Sequence, residues 1–176
     1  MSKVRTFSRF FPKGHPKEGQ QTFFVEKIYS ELGVGGNYLH IPLPDVDNFL
    51  YNHDENYFDA KLHTIRAGKH FNDGDYFSPR VWTDKPYCSK QIKIADDIKL
   101  EKVFDFKIEI DKDYICVLID NYPFYEENST MVTQVEALET LAKNDGLAIE
   151  DFKSWFKWGK EPFNGQILCW SKSVEY

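Results

Sequence analysis

The chain has 176 residues, 28% charged, 41% hydrophobic and 16% aromatic, a composition that folds and excludes disorder as a general description. At roughly 150 residues per domain, the length predicts one domain over 1–176. A net charge of −6 argues against a protein that coats nucleic acid non-specifically through many phosphate contacts, and leaves room for a basic pocket or groove. No apolar run approaches the roughly 18 residues that span a bilayer, and MSKVRTFSRFF lacks the basic, apolar and small-residue order of a signal peptide. A cytoplasmic protein without a membrane partner is therefore expected.

The charge is unevenly spread. Residues 1–19 carry +4, 20–60 carry −6, 61–107 carry +3, 108–151 carry −9 and 152–176 carry +2. Such blocks are either solvated faces or the rims of a basic pocket. Cys88, Cys116 and Cys169 are odd in number and far apart, so neither a disulfide framework nor paired zinc ligands are expected.

In chain order, residues 22–32 place Phe24, Ile28 and Leu32 on one helical face, with Thr22 as N-cap and Gly33 just past the end. Residues 33–60 are rich in Gly, Pro, Asn and Asp and read as a long connection, with at most a short strand near Tyr38–Ile41. Strands follow at LHTIR, DYFSPRVW and SKQIKIA, then an alternation sets Ile98, Leu100, Phe104, Phe106, Ile108 and Ile110 on one face. Tyr114–Ile119 is nearly continuous apolar, as in a strand buried on both faces, and Pro123 with the polar run to Ser129 breaks the sheet. Val132, Val135, Leu138, Leu141 and Ala142 then form a helical stripe. Thr133 and Glu136 have capping-box spacing, and Asn144-Asp145-Gly146 is a stop signal. A second helix at about 149–158 carries Phe152, Trp155 and Phe156, and Gly165–Trp170 closes the fold as a strand. Strands with short turns, flanked by helices, predict an α+β domain built as a small, partly closed barrel.

The most informative stretch is Lys61-Leu62-His63-Thr64-Ile65-Arg66, followed by Gly68, Phe71 and the Gly74-Asp75 turn. With Asn144-Asp145-Gly146-Leu147 and the final strand, it resembles the ASCH domain, a branch of the PUA-like barrels marked by Lys-x-x-Thr-x-Arg entering a strand and a Gly-Asp turn into the next. The likeness covers about 61–110 and 131–171, which leaves 1–60 as a helical and loop elaboration. A characterised enzyme of that family removes the acetyl group from the exocyclic amine of acetylcytidine. The resemblance implies Lys61 as proton acceptor, Thr64 as nucleophile and Asp145 as proton donor, where the family enzyme carries the longer Glu.

A threonine hydroxyl attacks an amide only if a base takes its proton, and a lysine is that base only when burial or a neighbouring cation disfavours its charge. Arg66 is the available neighbour. Residues 61 and 64 point to opposite faces of a regular strand, so they converge only if Lys61 lies in the turn before it. The alternative is a surface lysine, an ordinary strand threonine and an arginine paired with carboxylates. The Gly-Asp turn and the C-terminal likeness favour a pocket, with Arg66 and His63 as substrate-binding groups.

Arg80, Trp82, Lys85, Tyr87, Lys90 and Lys93 interleave cations with aromatics, either as a groove that binds bases and phosphates or as ordinary packing residues. Arg5, Arg9, Lys13, His15 and Lys17 are further phosphate contacts or a solvated strand and loop. The five histidines lack ligand spacing and Gly33–Gly36 is not a phosphate loop, so no metal and no cofactor are expected. The partner expected is a nucleoside or RNA. The leading reading is hydrolysis of an acyl-amide on a cytosine-type nucleoside, and the alternatives are a non-catalytic RNA-binding module or a ribonuclease.

Overall fold

The computed structural model describes residues 2–33, 59–111, 114–124, 131–157 and 162–176. In chain order its elements are β1 (Lys3–Phe7), α1 (Phe24–Leu32), β2 (His63–Ala67), β3 (Tyr76–Trp82), β4 (Gln91–Lys93), β5 (Ile98–Lys99), β6 (Lys102–Ile110), β7 (Ile115–Ile119), β8 (Tyr122–Pro123), α2 (Met131–Asn144), α3 (Ile149–Phe156) and β9 (Phe163–Cys169). This is the α+β class expected. The strands form two sheets, neither of which closes on itself among the described residues. Contacts divide the chain into two compact units, residues 1–61 with 75–99 and residues 62–74 with 100–176.

In the first unit β3 is the central strand, pairing in parallel with β1 and antiparallel with β4 and β5. Phe7, Phe77, Val81 and Ile98 are buried on these strands, and the Phe7 and Phe77 rings lie 6.2 Å apart. Helix α1 buries Phe24, Val25, Ile28 and Tyr29, and the Tyr29 hydroxyl donates to the Ile94 carbonyl beyond β4. The helix starts at Phe24, so Thr22 is not its N-cap. The Thr22 hydroxyl still accepts from Phe24 N, the first helical N–H, at 3.4 Å while it donates to Ser8 O at 2.6 Å, and Phe23 turns the chain into the helix at φ 56°. Gly33 ends α1 at φ 62°, as expected. The strand expected near Tyr38–Ile41 lies outside the described residues.

The second unit carries an open sheet in the order β2-β9-β6-β7-β8. Its covered side is built from Phe106, Ile108, Val117, Ile119 and Ile167, with Leu138, Leu141 and Phe152 from the helices. Phe156 of α3 sits 5.0 Å from Phe163 and 5.9 Å from Phe106. Burial along β7 alternates, with Val117 and Ile119 buried and Cys116 and Leu118 half-buried. This corrects the expectation of a strand buried on both faces, because an antiparallel sheet needs only one covered side. Asp120 and Asn121 take positive φ and return the chain into β8, a short pairing that the sequence reading missed. The alternation from Ile98 to Ile110 is likewise two strands, since β5 pairs with β3 whereas β6 lies between β9 and β7. Helix α2 already runs from Met131, ahead of the capping box read at Thr133.

Gly165 shows how tightly this sheet is built. A Cβ there would lie 2.1 Å from the Arg66 carbonyl oxygen and 2.9 Å from the Phe163 ring. Gly165→Ala must therefore push β2 away from β9, an overpacking expected to cost about 3 kcal/mol and to lower the urea midpoint. A wild-type midpoint would show that β2 does not hold this register.

Candidate functional site

Leu62 positions the site residues of the second unit. Its N–H donates to Asn144 O at 2.8 Å, and its carbonyl accepts from Trp170 N at 3.2 Å, so the start of β2 is tied to the end of α2. That end is a Schellman motif: Leu147 N donates to Ala142 O at 2.9 Å and Gly146 N to Lys143 O at 2.8 Å, with Gly146 at φ 74°. The stop signal read from Asn144-Asp145-Gly146 is thus realised, and it fixes Asp145 beside β2.

His63 is 0% and Asp145 7% exposed, and His63 Nδ1 lies 3.8 Å from Asp145 Oδ1. A carboxylate at the negative end of a helix dipole is unfavourably placed, and the imidazole at this distance offsets the cost only in its protonated form. Tyr176 completes the group. Its ring meets His63 edge-on at 5.7 Å and its hydroxyl accepts from Asn144 Nδ2 at 3.0 Å. Burial, then the nearby Cys169 and Asp145, raises the tyrosine pKa against the lowering effect of the Asn144 bond. Cys169 is directly opposite His63 in the β2–β9 register. Burial, then the charges of Asp145 and Asp73, pushes its thiol up to about 12, so it holds no thiolate for nucleophilic work near neutral pH. Sequence reasoning missed Tyr176 and Cys169, because no periodicity or motif links them to Lys61–Arg66.

Thr64, 4% exposed, follows His63 on β2 opposite Leu168. Strand alternation sets Thr64 and Arg66 on one face and His63 on the other. Arg66 is half-buried and pairs in register with Gln166. The Gln166 amide accepts from His70 N at 2.8 Å and Phe71 N at 3.0 Å and donates to Phe71 O at 3.0 Å. It thereby anchors the loop that leads to Gly74, whose φ of 81° makes the expected turn.

Lys61 belongs to the first unit. It precedes β2, as the spacing argument required, but it is 1% exposed, which removes the surface-lysine alternative. Its N–H donates to Lys27 O at 3.0 Å and its side-chain Nζ sits 4.2 Å from the centre of the Phe24 ring. Phe24 also lines, with Arg9, Phe10 and Glu26, a shallow open depression with room for little more than a water molecule, far below the size of a small-molecule site.

Arg80, Trp82, Lys85 and Tyr87 also belong to the first unit. Arg80 is half-buried, with Nε 3.4 Å from Ser78 Oγ, and Trp82 is half-buried with its ring 5.5 Å from that of the exposed Tyr87. The N-terminal cations are largely engaged with rings. Arg9 lies over Phe10, Lys17 lies over Phe11, and His15 is buried and stacked on Phe11 at 4.4 Å.

No family model, curated protein or solved structure matches the chain. Among the described residues no group of three or more His, Cys, Asp or Glu side chains is gathered as a metal ion would require. Among the same residues no helix is long and apolar enough to cross a membrane.

Proposed function

We propose that the protein is an ASCH-like recogniser of nucleosides or RNA that hydrolyses an acyl-amide on a cytosine-type nucleoside. A PUA-like, partly closed barrel is the fold reading that accompanies this activity. The supporting observation is burial: Lys61, Thr64 and Asp145 are 1%, 4% and 7% exposed. A lysine is almost never fully buried unless it is paired, and burial is what disfavours the charge of a lysine that serves as proton acceptor.

The Thr64 hydroxyl attacks the acyl carbon while Lys61 takes its proton, and the departing exocyclic amine receives a proton from Asp145. Water then cleaves the acyl-threonine and releases the acid. His63, 3.8 Å from Asp145, holds that carboxyl group on the face of β2 opposite Thr64, so the reading requires the acyl-amide to span the start of the strand.

The test is chromatography of acetylcytidine incubated with wild-type protein, Lys61→Ala and Thr64→Ala. Cytidine is expected with the wild type and in neither variant. No wild-type turnover on acetylated cytosines would defeat the reading. RNA binding that falls steeply with salt would then assign a non-catalytic module, and shortened RNA with intact nucleosides would assign a ribonuclease.

A further inference from the structure

The connection between β3 and β4, residues 83–90, is held by its own hydrogen bonds. Thr83 N donates to Lys90 O at 2.9 Å and closes its base, and Cys88 N donates to Lys85 O at 3.2 Å. The Ser89 hydroxyl accepts from Asp84 N at 3.0 Å and donates to Lys85 O at 2.9 Å. At its tip Tyr87 is 88% exposed with φ 64°, a left-handed backbone that a bulky non-glycine residue seldom adopts. The Trp82 ring lies beside that of Tyr87 at 5.5 Å, tilted by 50°.

Among the described residues several surface lysines are already committed to carboxylates, and the two of this connection are not. Lys3, Lys69, Lys93 and Lys153 each meet a carboxylate. Lys85 and Lys90 are exposed and form no ion pair among the described residues. Residues 79–93 hold four cationic side chains and one anionic, a local balance of +3 in a chain of net charge −6.

We propose that this hairpin is a binding surface for single-stranded nucleic acid, with a base stacked on Tyr87 and Trp82 and the flanking phosphates paired with Lys85 and Lys90. An aromatic face accepts any unpaired base, and uncommitted ammonium groups beside it replace phosphate counterions. A duplex keeps its bases stacked on each other and has none to offer. The inference goes beyond the proposed hydrolysis, because binding is read without turnover. Loss of that activity leaves the surface standing, and loss of the surface leaves nucleoside hydrolysis standing.

The test is fluorescence anisotropy of the full chain with a labelled oligouridylate of about ten nucleotides, titrated with salt. Tyr87→Asn removes the ring and keeps a residue that tolerates left-handed backbone. It is expected to weaken binding about tenfold, whereas Tyr87→Phe binds as wild type. The pair Lys85→Gln and Lys90→Gln is expected to flatten the logarithmic salt slope by about 1.4, at roughly 0.7 per phosphate contact on a single strand. Unchanged thermal melting in each variant excludes misfolding as the cause. The proposal is overturned if wild type does not bind, if Tyr87→Asn binds as wild type, if the salt slope is unchanged in the double variant, or if a duplex binds equally well with the same dependence on Tyr87.

Discussion

Lys61→Arg is expected to lower acetylcytidine hydrolysis by at least about a hundredfold, with the fold intact. The argument rests on what each side chain can do in the same buried position. Arginine places a fixed positive charge where the lysine Nζ lies 4.2 Å from the Phe24 ring, and its guanidinium does not give up a proton in a protein. It therefore removes the proton acceptor. Lys61→Met makes the complementary change, keeping the buried stem and removing the charge. Both variants are expected to lose turnover, while their urea midpoints separate according to the part the charge plays in stability. If Lys61→Arg keeps more than about a tenth of wild-type turnover, the loss falls short of general-base catalysis and Lys61 serves as a structural cation. That result would move the search for a base to His63, already 3.8 Å from Asp145.

The elements and the chemistry were legible in the sequence to different degrees. Helices α1, α2 and α3 and the main strands carry strong periodicity, and Gly33, Gly74 and Gly146 fall at turns that demand positive φ. Local patterns of this kind are fixed by neighbours within a few residues. The parallel pairing of β1 with β3 joins Lys3–Phe7 to Phe77–Val81, a separation that leaves no short-range signature, and the change of partner between Lys99 and Lys102 leaves the hydrophobic alternation undisturbed.

The site is divided in the same way. The position of Lys61 before a strand and the placement of Asp145 after a helix stop both follow from local rules. The meeting of His63 with Asp145 depends on Leu62 reaching Asn144 across the fold. Tyr176 and Cys169 join that group through strand register and packing, which no spacing in the sequence announces. The exposed hairpin was half legible: its mixture of cations and aromatics is visible in the sequence, whereas the outward position of Tyr87 requires the folded backbone.

The wild-type protein is expected to lose stability steeply above about pH 9, and Cys169→Ala is expected to lessen that loss. The buried thiol is raised from 9.0 to about 12 in the fold, and the Tyr176 hydroxyl is raised above its ordinary 10.0. Between those limits the unfolded chain releases protons that the folded chain retains, so alkali draws the equilibrium toward unfolding. The stabilisation is complete below the unfolded pKa and is lost as pH rises toward the folded one. Each retained proton costs about 1.4 kcal/mol per pH unit over that window. Cys169→Ala removes the first group, at a packing cost of about 1 kcal/mol near neutral pH, and Tyr176→Phe removes the second, which contributes from about pH 10. Urea midpoints from about pH 7 to about pH 11 check the prediction through the difference between curves, because all other ionisable groups are common to the variants. A Cys169→Ala curve that falls as steeply as wild type between about pH 9 and 11 would mean that the thiol already ionises within the fold. The charge of Asp145 and the burial around His63 would then be weaker than their geometry implies, and Cys169 would become an accessible nucleophile beside a histidine.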